Sequence, residues 1–214
     1  MANRPAWTLT QQGVVIRRDV TFQWSAGFAL TQKQKNIRAL HEAIQMKSEG
    51  KALEVSTKSE DPFGRSLSAF QLKLKGRYLE NVFQSSKVYE EGGPYLDLLD
   101  ADPRAAKQDE RHQKSGKLTA FCYQGETWAL EPKTAFYDYI YVLAAREELG
   151  EAALEQLRGY QWFTDIEFNP KKSINCQARS AALLKGIVEG KRWDVLSGIK
   201  VWLSFHKATL GEDA

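Results

Sequence analysis

The segment Leu79-Glu-Asn-Val-Phe-Gln-Ser-Ser-Lys-Val-Tyr89 holds three side chains suited to work on a polar bond. On a helix each residue advances by about 100°, which puts Gln84 about 40° and Lys87 about 20° from Glu80, with Leu79, Val82, Phe83 and Tyr89 on the other side. An acid, an amide and an amine on one stripe can hold, protonate or attack a carbon bearing oxygen or nitrogen. A solvated helix face with a loose ion pair has the same pattern. A second group lies in Phe163-Thr-Asp-Ile-Glu-Phe-Asn-Pro-Lys-Lys-Ser-Ile-Asn-Cys-Gln-Ala-Arg179. There Asp165 and Glu167 precede a predicted helix start flanked by Lys171 and Lys172, an arrangement fit for a phosphate or pyrophosphate. An ordinary Ser-capped helix that packs through its alanines is the alternative. Trp128 is either a stacking platform for a base or a plain core residue. Arg104, Lys107, Arg111 and Lys114 recur at roughly helical spacing and could track a phosphate backbone, although Asp109 and Glu110 interrupt them as on any solvated face.

The elements that must position these groups read as α+β, predominantly helical, with a small sheet. Residues 13–30 are rich in β-branched and aromatic side chains and predict one or two strands. Thr31 is a cap for a helix to about Ser48, closed by Gly50. Leu53-Glu-Val-Ser predicts a short strand, and Phe70-Gln-Leu-Lys-Leu-Lys a half-exposed one with lysines on its wet face. Helices are predicted over about 79–89, ending at Gly92-Gly-Pro94, and over about 102–115, polar and exposed. Pro132 opens a third through Phe136-Tyr-Asp-Tyr-Ile-Tyr, 151–158 is a short one, Ser173 or Asn175 opens the next, and 192–207 makes the last.

With 214 residues, 43% of them apolar and 27% charged, the chain suits one soluble domain with a terminal embellishment. No run approaches a membrane span and the first residues carry no signal-peptide core, so the expected place is the cytoplasm. Cys122 and Cys176 are too few and too far apart for a disulfide framework. They share no ligand-like spacing with His41, His112 or His206, and no metal or cofactor is expected. A net charge of +3 is compatible with a nucleic-acid partner without requiring one. Phosphate-binding loops, dinucleotide fingerprints, nucleophile elbows and zinc-hydrolase motifs are all missing.

Residues 54–70, with Phe63-Gly64 and Ser68-Ala69-Phe70, and then 76–87, with Glu80, Gln84 and Lys87, resemble the opening motifs of the NADAR superfamily. Ala106-Lys107, Trp128, Asp165, Asn175 and Leu183-Leu184 are similar to its later blocks, and the resemblance covers about 54–188. YbiA-like members, which cleave N-glycosidic bonds in riboflavin intermediates, carry Asn where this chain has Ala69 and Trp-Gly-Asp-Gly where it has Phe163-Thr-Asp-Ile. The N-terminal block around Trp24, Gly92-Gly-Pro-Tyr, Leu130–Asp138 and Phe168–Arg179 look instead like the NADAR antitoxins that accompany DarT toxins.

That resemblance implies an N-terminal extension, 1–52, packed on a NADAR-like catalytic domain, 53–214. It implies hydrolysis of ADP-ribose from guanine in DNA, with ADP-ribosylated DNA as substrate, ADP-ribose as product and a DarT-type toxin as possible partner. Catalysis would fall to Glu80, Lys87 and Asp165, either through an oxocarbenium-like state or through a Schiff base on Lys87. Lys58, Phe63, Gly64, Ser68, Phe70, Gln84, Trp128, Lys171, Lys172, Asn175 and Arg179 would bind the ligand. Lys33, Lys35, Arg104, Lys107 and Arg111 would meet DNA. The alternatives are a riboflavin-intermediate N-glycosidase and a non-catalytic antitoxin that binds ADP-ribose or its toxin.

Overall fold

The computed structural model describes residues 1–171 and 173–209. Its strands are β1 (Ala2–Leu9), β2 (Val15–Phe22), β3 (Ala52–Glu54), β4 (Lys73–Leu74), β5 (Arg77–Tyr78), β6 (Lys87–Tyr89), β7 (Leu118–Tyr123), β8 (Glu126–Trp128) and β9 (Trp162–Thr164). The helices are α1 (Leu30–Gln45), α2 (Pro62–Ser66), α3 (Leu79–Ser85), α4 (Pro103–Gln108), α5 (Arg111–Lys114), α6 (Ala135–Leu154), α7 (Gln177–Gly190) and α8 (Ile199–Thr209). The architecture is α+β.

Strand periodicity sorts the side chains of the main sheet, ordered β2-β1-β9-β3, onto two faces. Ala6, Val20, Phe22 and Trp162 meet α1, whose Ile37, Leu40 and Ile44 recur at helical spacing. Trp7, Leu53 and Phe163 face the larger core, which α6 and α7 fill. The first half of α6 is buried almost all round, through Phe136, Tyr137, Ile140, Tyr141 and Ala144. The small Ala178, Ala181 and Ala182 of α7 pack into the same core. A second sheet, β6-β7-β8, flanks α3. Among the described residues no helix is long and apolar enough to cross a membrane.

Several elements differ from the sequence expectation, each for a local reason. The helix expected over 79–89 ends at Ser85, because Ser85 and Ser86 turn their hydroxyls back onto the Val82 carbonyl. The next residues, Lys87–Tyr89, pair with β7. Asp109 splits the expected 102–115 helix by accepting from the Arg111 amide. Ser68 O binds the amides of Gln71 and Leu72, and this turn leaves only Lys73–Leu74 extended. Helix α1 begins at Leu30 and α7 at Gln177, neither with a side-chain cap, so Thr31, Ser173 and Asn175 are not the caps expected of them. Strand β1, absent from the sequence reading, contains Pro5. Only its Ala6 and Trp7 pair with β9, opposite Thr164 and Phe163, so the missing Pro5 N–H interrupts no ladder bond there. The β7–β8 hairpin also went unpredicted. Its Gln124-Gly125 turn has φ of 53° and 81°, the left-handed pair that a tight hairpin needs.

Candidate active site

Helix α3 is too short to show a solvated stripe, and every one of its residues is buried. Leu79, Val82 and Phe83 join the core, while Glu80 and Gln84 open on a cleft of about 940 Å³. Gln84 Nε2 donates to Glu80 Oε1 at 2.8 Å, and Lys87 Nζ donates to Gln84 Oε1 at 2.6 Å. The amide therefore orders the acid and the amine into one file, although Lys87 stands on β6 and not on the helix. Burial lowers the Lys87 amine to about 8, against the nearby Glu80, which raises it. Its Nζ also lies 5.2 Å from the Phe83 ring centroid. From α4, Lys107 reaches 3.5 Å from Glu80 Oε1 and lies over the Phe70 ring at the mouth.

The far side is built from the turn after β9 and the start of α7. Asp165 accepts from the Glu167 amide and from Gln177 Nε2, each at 2.9 Å. Burial, and next the carboxyl of Glu54, raise Asp165 to about 7. Gln177 Oε1 also accepts from the Ala69 amide at 2.8 Å, and Ala69 O accepts from the Glu80 amide at 3.3 Å. One residue, Ala69, thus ties the Asp165 side to the Glu80 side. Residues 129–135 wall the cleft on one side, and residues 167–171 and 173–175 on the other, the latter through Lys171, Ile174 and Asn175.

Of the residues singled out from sequence, Glu80, Gln84, Lys87, Asp165, Phe70, Lys107, Lys171 and Asn175 come together in this cleft. Others lie elsewhere. Trp128 is in the core against Phe136 and Tyr139. Phe63 stacks on Tyr160, and a Cβ on Gly64 would strike the Glu54 carbonyl, so this glycine lets α2 approach β3. Ser68 is buried and receives the Phe70 amide, whereas the Lys58 amide binds Ser56 Oγ outside the cleft. Arg179 pairs with buried Asp138 and donates to Thr134 Oγ1, which leaves it behind the wall. Arg111 is clasped by Asp97 and Asp109 over the Tyr95 ring, so its charge is already matched. Lys33 bonds Glu167 at the rim at 2.8 Å, and Lys35 and Arg104 are exposed outside the cleft. Lys172 lies outside the described residues.

Tyr137 and Gln177 also line the cleft and Glu54 stands behind it, and none of the three was among the site residues expected from sequence. Gln177 and Tyr137 lie inside the quoted stretches Phe163–Arg179 and Leu130–Asp138 without a role of their own there. Only the register that sets Glu54 opposite Thr164 marks the third.

A compact α+β domain with acid, amide and amine gathered on one cleft is a domain of the NADAR type. The family model of DarT1-associated NADAR antitoxins matches residues 2–210, and the chain belongs to that family. No curated protein matches it.

Proposed function

We propose that this protein removes ADP-ribose from guanine in DNA by cleaving the N-glycosidic bond between them, and so reverses the product of a DarT-type toxin. The file Glu80–Gln84–Lys87 carries the reading. It ends at an amine lowered to about 8, in a cleft that also holds an acid raised to about 7.

An exocyclic guanine N-glycoside can open its ribose ring to an imine, and the carbon of that imine is where Lys87 acts. At pH 7 such a lysine is neutral in about one molecule in ten. Its lone pair forms the Nζ–C bond. A proton passed to the guanine nitrogen then lets the old C–N bond break, freeing guanine with its amino group and leaving the sugar as a Schiff base on Lys87. Asp165 is the acid for that step. Water adds to the Schiff base as Glu80 takes its proton, and collapse returns the Lys87 amine and ADP-ribose. Phe70 offers a ring for stacking at the mouth, and Lys171 and Asn175 offer donors to a pyrophosphate.

The test is incubation with an ADP-ribosyl-guanine oligonucleotide, beside free riboflavin-pathway ribosides, with borohydride added during turnover. The expected result is released ADP-ribose and a mass increase on the peptide spanning 78–104, absent in Lys87→Ala. Tight binding without turnover would make the protein a reader. Cleavage of the free ribosides alone would place it with the riboflavin-intermediate enzymes. Substantial activity in Lys87→Ala without an adduct would leave Glu80 and Asp165 as the catalytic pair.

A further inference from the structure

Glu54 ends β3, is 2% exposed and lines no part of the cleft. Its carboxylate nevertheless accepts three hydrogen bonds. Ser56 Oγ and the Ile166 amide donate to Oε1 at 2.7 and 2.8 Å, and Thr164 Oγ1 donates to Oε2 at 2.7 Å. His41 Nε2 lies 2.8 Å from the same threonine oxygen. The threonine proton is committed to Glu54, so His41 is the donor there, and every hydrogen in the file His41–Thr164–Glu54 points inward. Asp165 is the next residue after Thr164 and accepts only two bonds, from Gln177 and the Glu167 amide.

Burial raises both carboxyls, and among the described residues no cation stands with the groups that act on either, so the two, joined through one short turn, do not both ionise at neutral pH. The one with more donors is the anion, and the other keeps a proton. Resting on the function proposed above, we infer that Glu54 is a positioning residue: an ionised carboxylate that clamps the Thr164–Glu167 turn and obliges the cleft-facing Asp165 to hold its proton until the leaving nitrogen takes it. Glu54 thereby acts on the reaction through Asp165 and touches no substrate atom.

The other groups around the pair agree with this assignment. From α6, Tyr137 and Tyr141 face Asp165 as neutral phenols, because burial raises both well above their ordinary value. Burial likewise raises the Cys176 thiol ahead of α7. On α1, His41 is kept neutral, lowered by burial to about 4. Glu167, on the same turn, has its own partner in Lys33.

The decisive measurement is a ¹³C carboxyl NMR titration of Asp165 in the substrate-free full-length protein, with the resonance assigned by its loss in Asp165→Asn. The wild-type midpoint is expected at about 7. Glu54→Gln keeps an oxygen for Ser56 Oγ and the Ile166 amide, turns an N–H toward Thr164 Oγ1 and removes the charge, and should lower that midpoint by at least ~1 pH unit. Thr164→Val removes one donor, shifts the proton toward Glu54 and should lower it by less. An unmoved midpoint in folded Glu54→Gln overturns the inference; if that variant does not fold, an unmoved midpoint in Thr164→Val does so. A merely structural Glu54 would change stability and leave the midpoint where it is. Since this readout needs no substrate, failure to release ADP-ribose from DNA refutes the functional reading alone, and an unmoved midpoint refutes only the role given to Glu54.

Discussion

Asp138 lies one turn into α6, behind the cleft wall, and Asp165 lies in the turn after β9, open to the cleft. Both are almost removed from water, at 1% and 7% exposure, yet their surroundings drive them in opposite directions. Burial by itself raises both. At Asp138 the Arg179 guanidinium, His206 and Ser180 more than offset it and hold the carboxyl at about 2. At Asp165 no cation among the described residues answers, Glu54 adds to the effect of burial, and the carboxyl stays protonated to about 7. Depth is therefore not what sets these two carboxyls apart. What separates them is whether the fold supplies a cation. The Asp138 cluster is close to self-sufficient, although His206 Nδ1 and Arg179 Nε find no partner. Through Thr134 it braces the loop that walls the cleft. Asp165 is left short of charge on the side that opens to the cleft.

The sharpest way to break this contrast is Arg179→Met. If the Asp138 cluster is structural, removing its cation strands a buried carboxylate and should cost about 3–5 kcal/mol in urea unfolding. A variant of unchanged stability would show that Asp138 does not depend on Arg179. Glu80→Gln should behave in the reverse way, with the unfolding midpoint kept and turnover reduced at least ~100-fold. Near wild-type turnover would take Glu80 out of the mechanism.

The two sites also differ in the sign of their pH dependence. Asp165 is raised in the folded state, so the stability associated with its protonated form is complete below about pH 4 and is lost as pH climbs through about 7. Asp165→Asn escapes that loss. It should melt at least ~3 °C above wild type at pH 8 and match it near pH 4. A constant difference across that range would place the Asp165 midpoint elsewhere. In turnover, neutral Lys87 is favoured above about 8 and protonated Asp165 below about 7, so the rate should form a bell with its maximum between them. A plateau extending well above pH 8 would exclude Asp165 as the acid.

The smallest expected effect concerns the rim. Lys107 is 55% exposed and only loosely paired with Glu80, so Lys107→Ala should reduce the salt dependence of DNA binding by ~1 in logarithmic slope. Affinity for free ADP-ribose should change little. Equal loss for both ligands would assign Lys107 to the ADP-ribose and not to the phosphate backbone.

Much of the fold was legible where local signals agree. The α1 stripe of Ile37, Leu40 and Ile44 and the dense apolar run of α6 announce themselves by period and composition. The three-residue strand β9 does not, because a ladder that short is stabilised by its neighbours and not by its own propensity. The candidate site divides in the same manner. Glu80, Gln84 and Lys87 are near enough in sequence for any helical turn to gather them, even though the helix stops before Lys87. Trp128 and Arg179 looked like ligand contacts because their types suit the task, and burial assigned them to the core and to the support of the wall.

The order of residues by itself determined the α+β class and the acid–amide–amine group, since both depend on spacings of a few residues. It also determined a carboxylate-bearing turn ahead of α7. Only the tertiary structure decided which of these groups holds a proton. Protonation depends on neighbours within a few ångströms, and those of Asp165 come from β3 and α7, with Glu54 joined to Thr164 across 110 positions of chain. No local pattern encodes a meeting of that kind, and packing alone turns an ordinary aspartate into an acid at neutral pH.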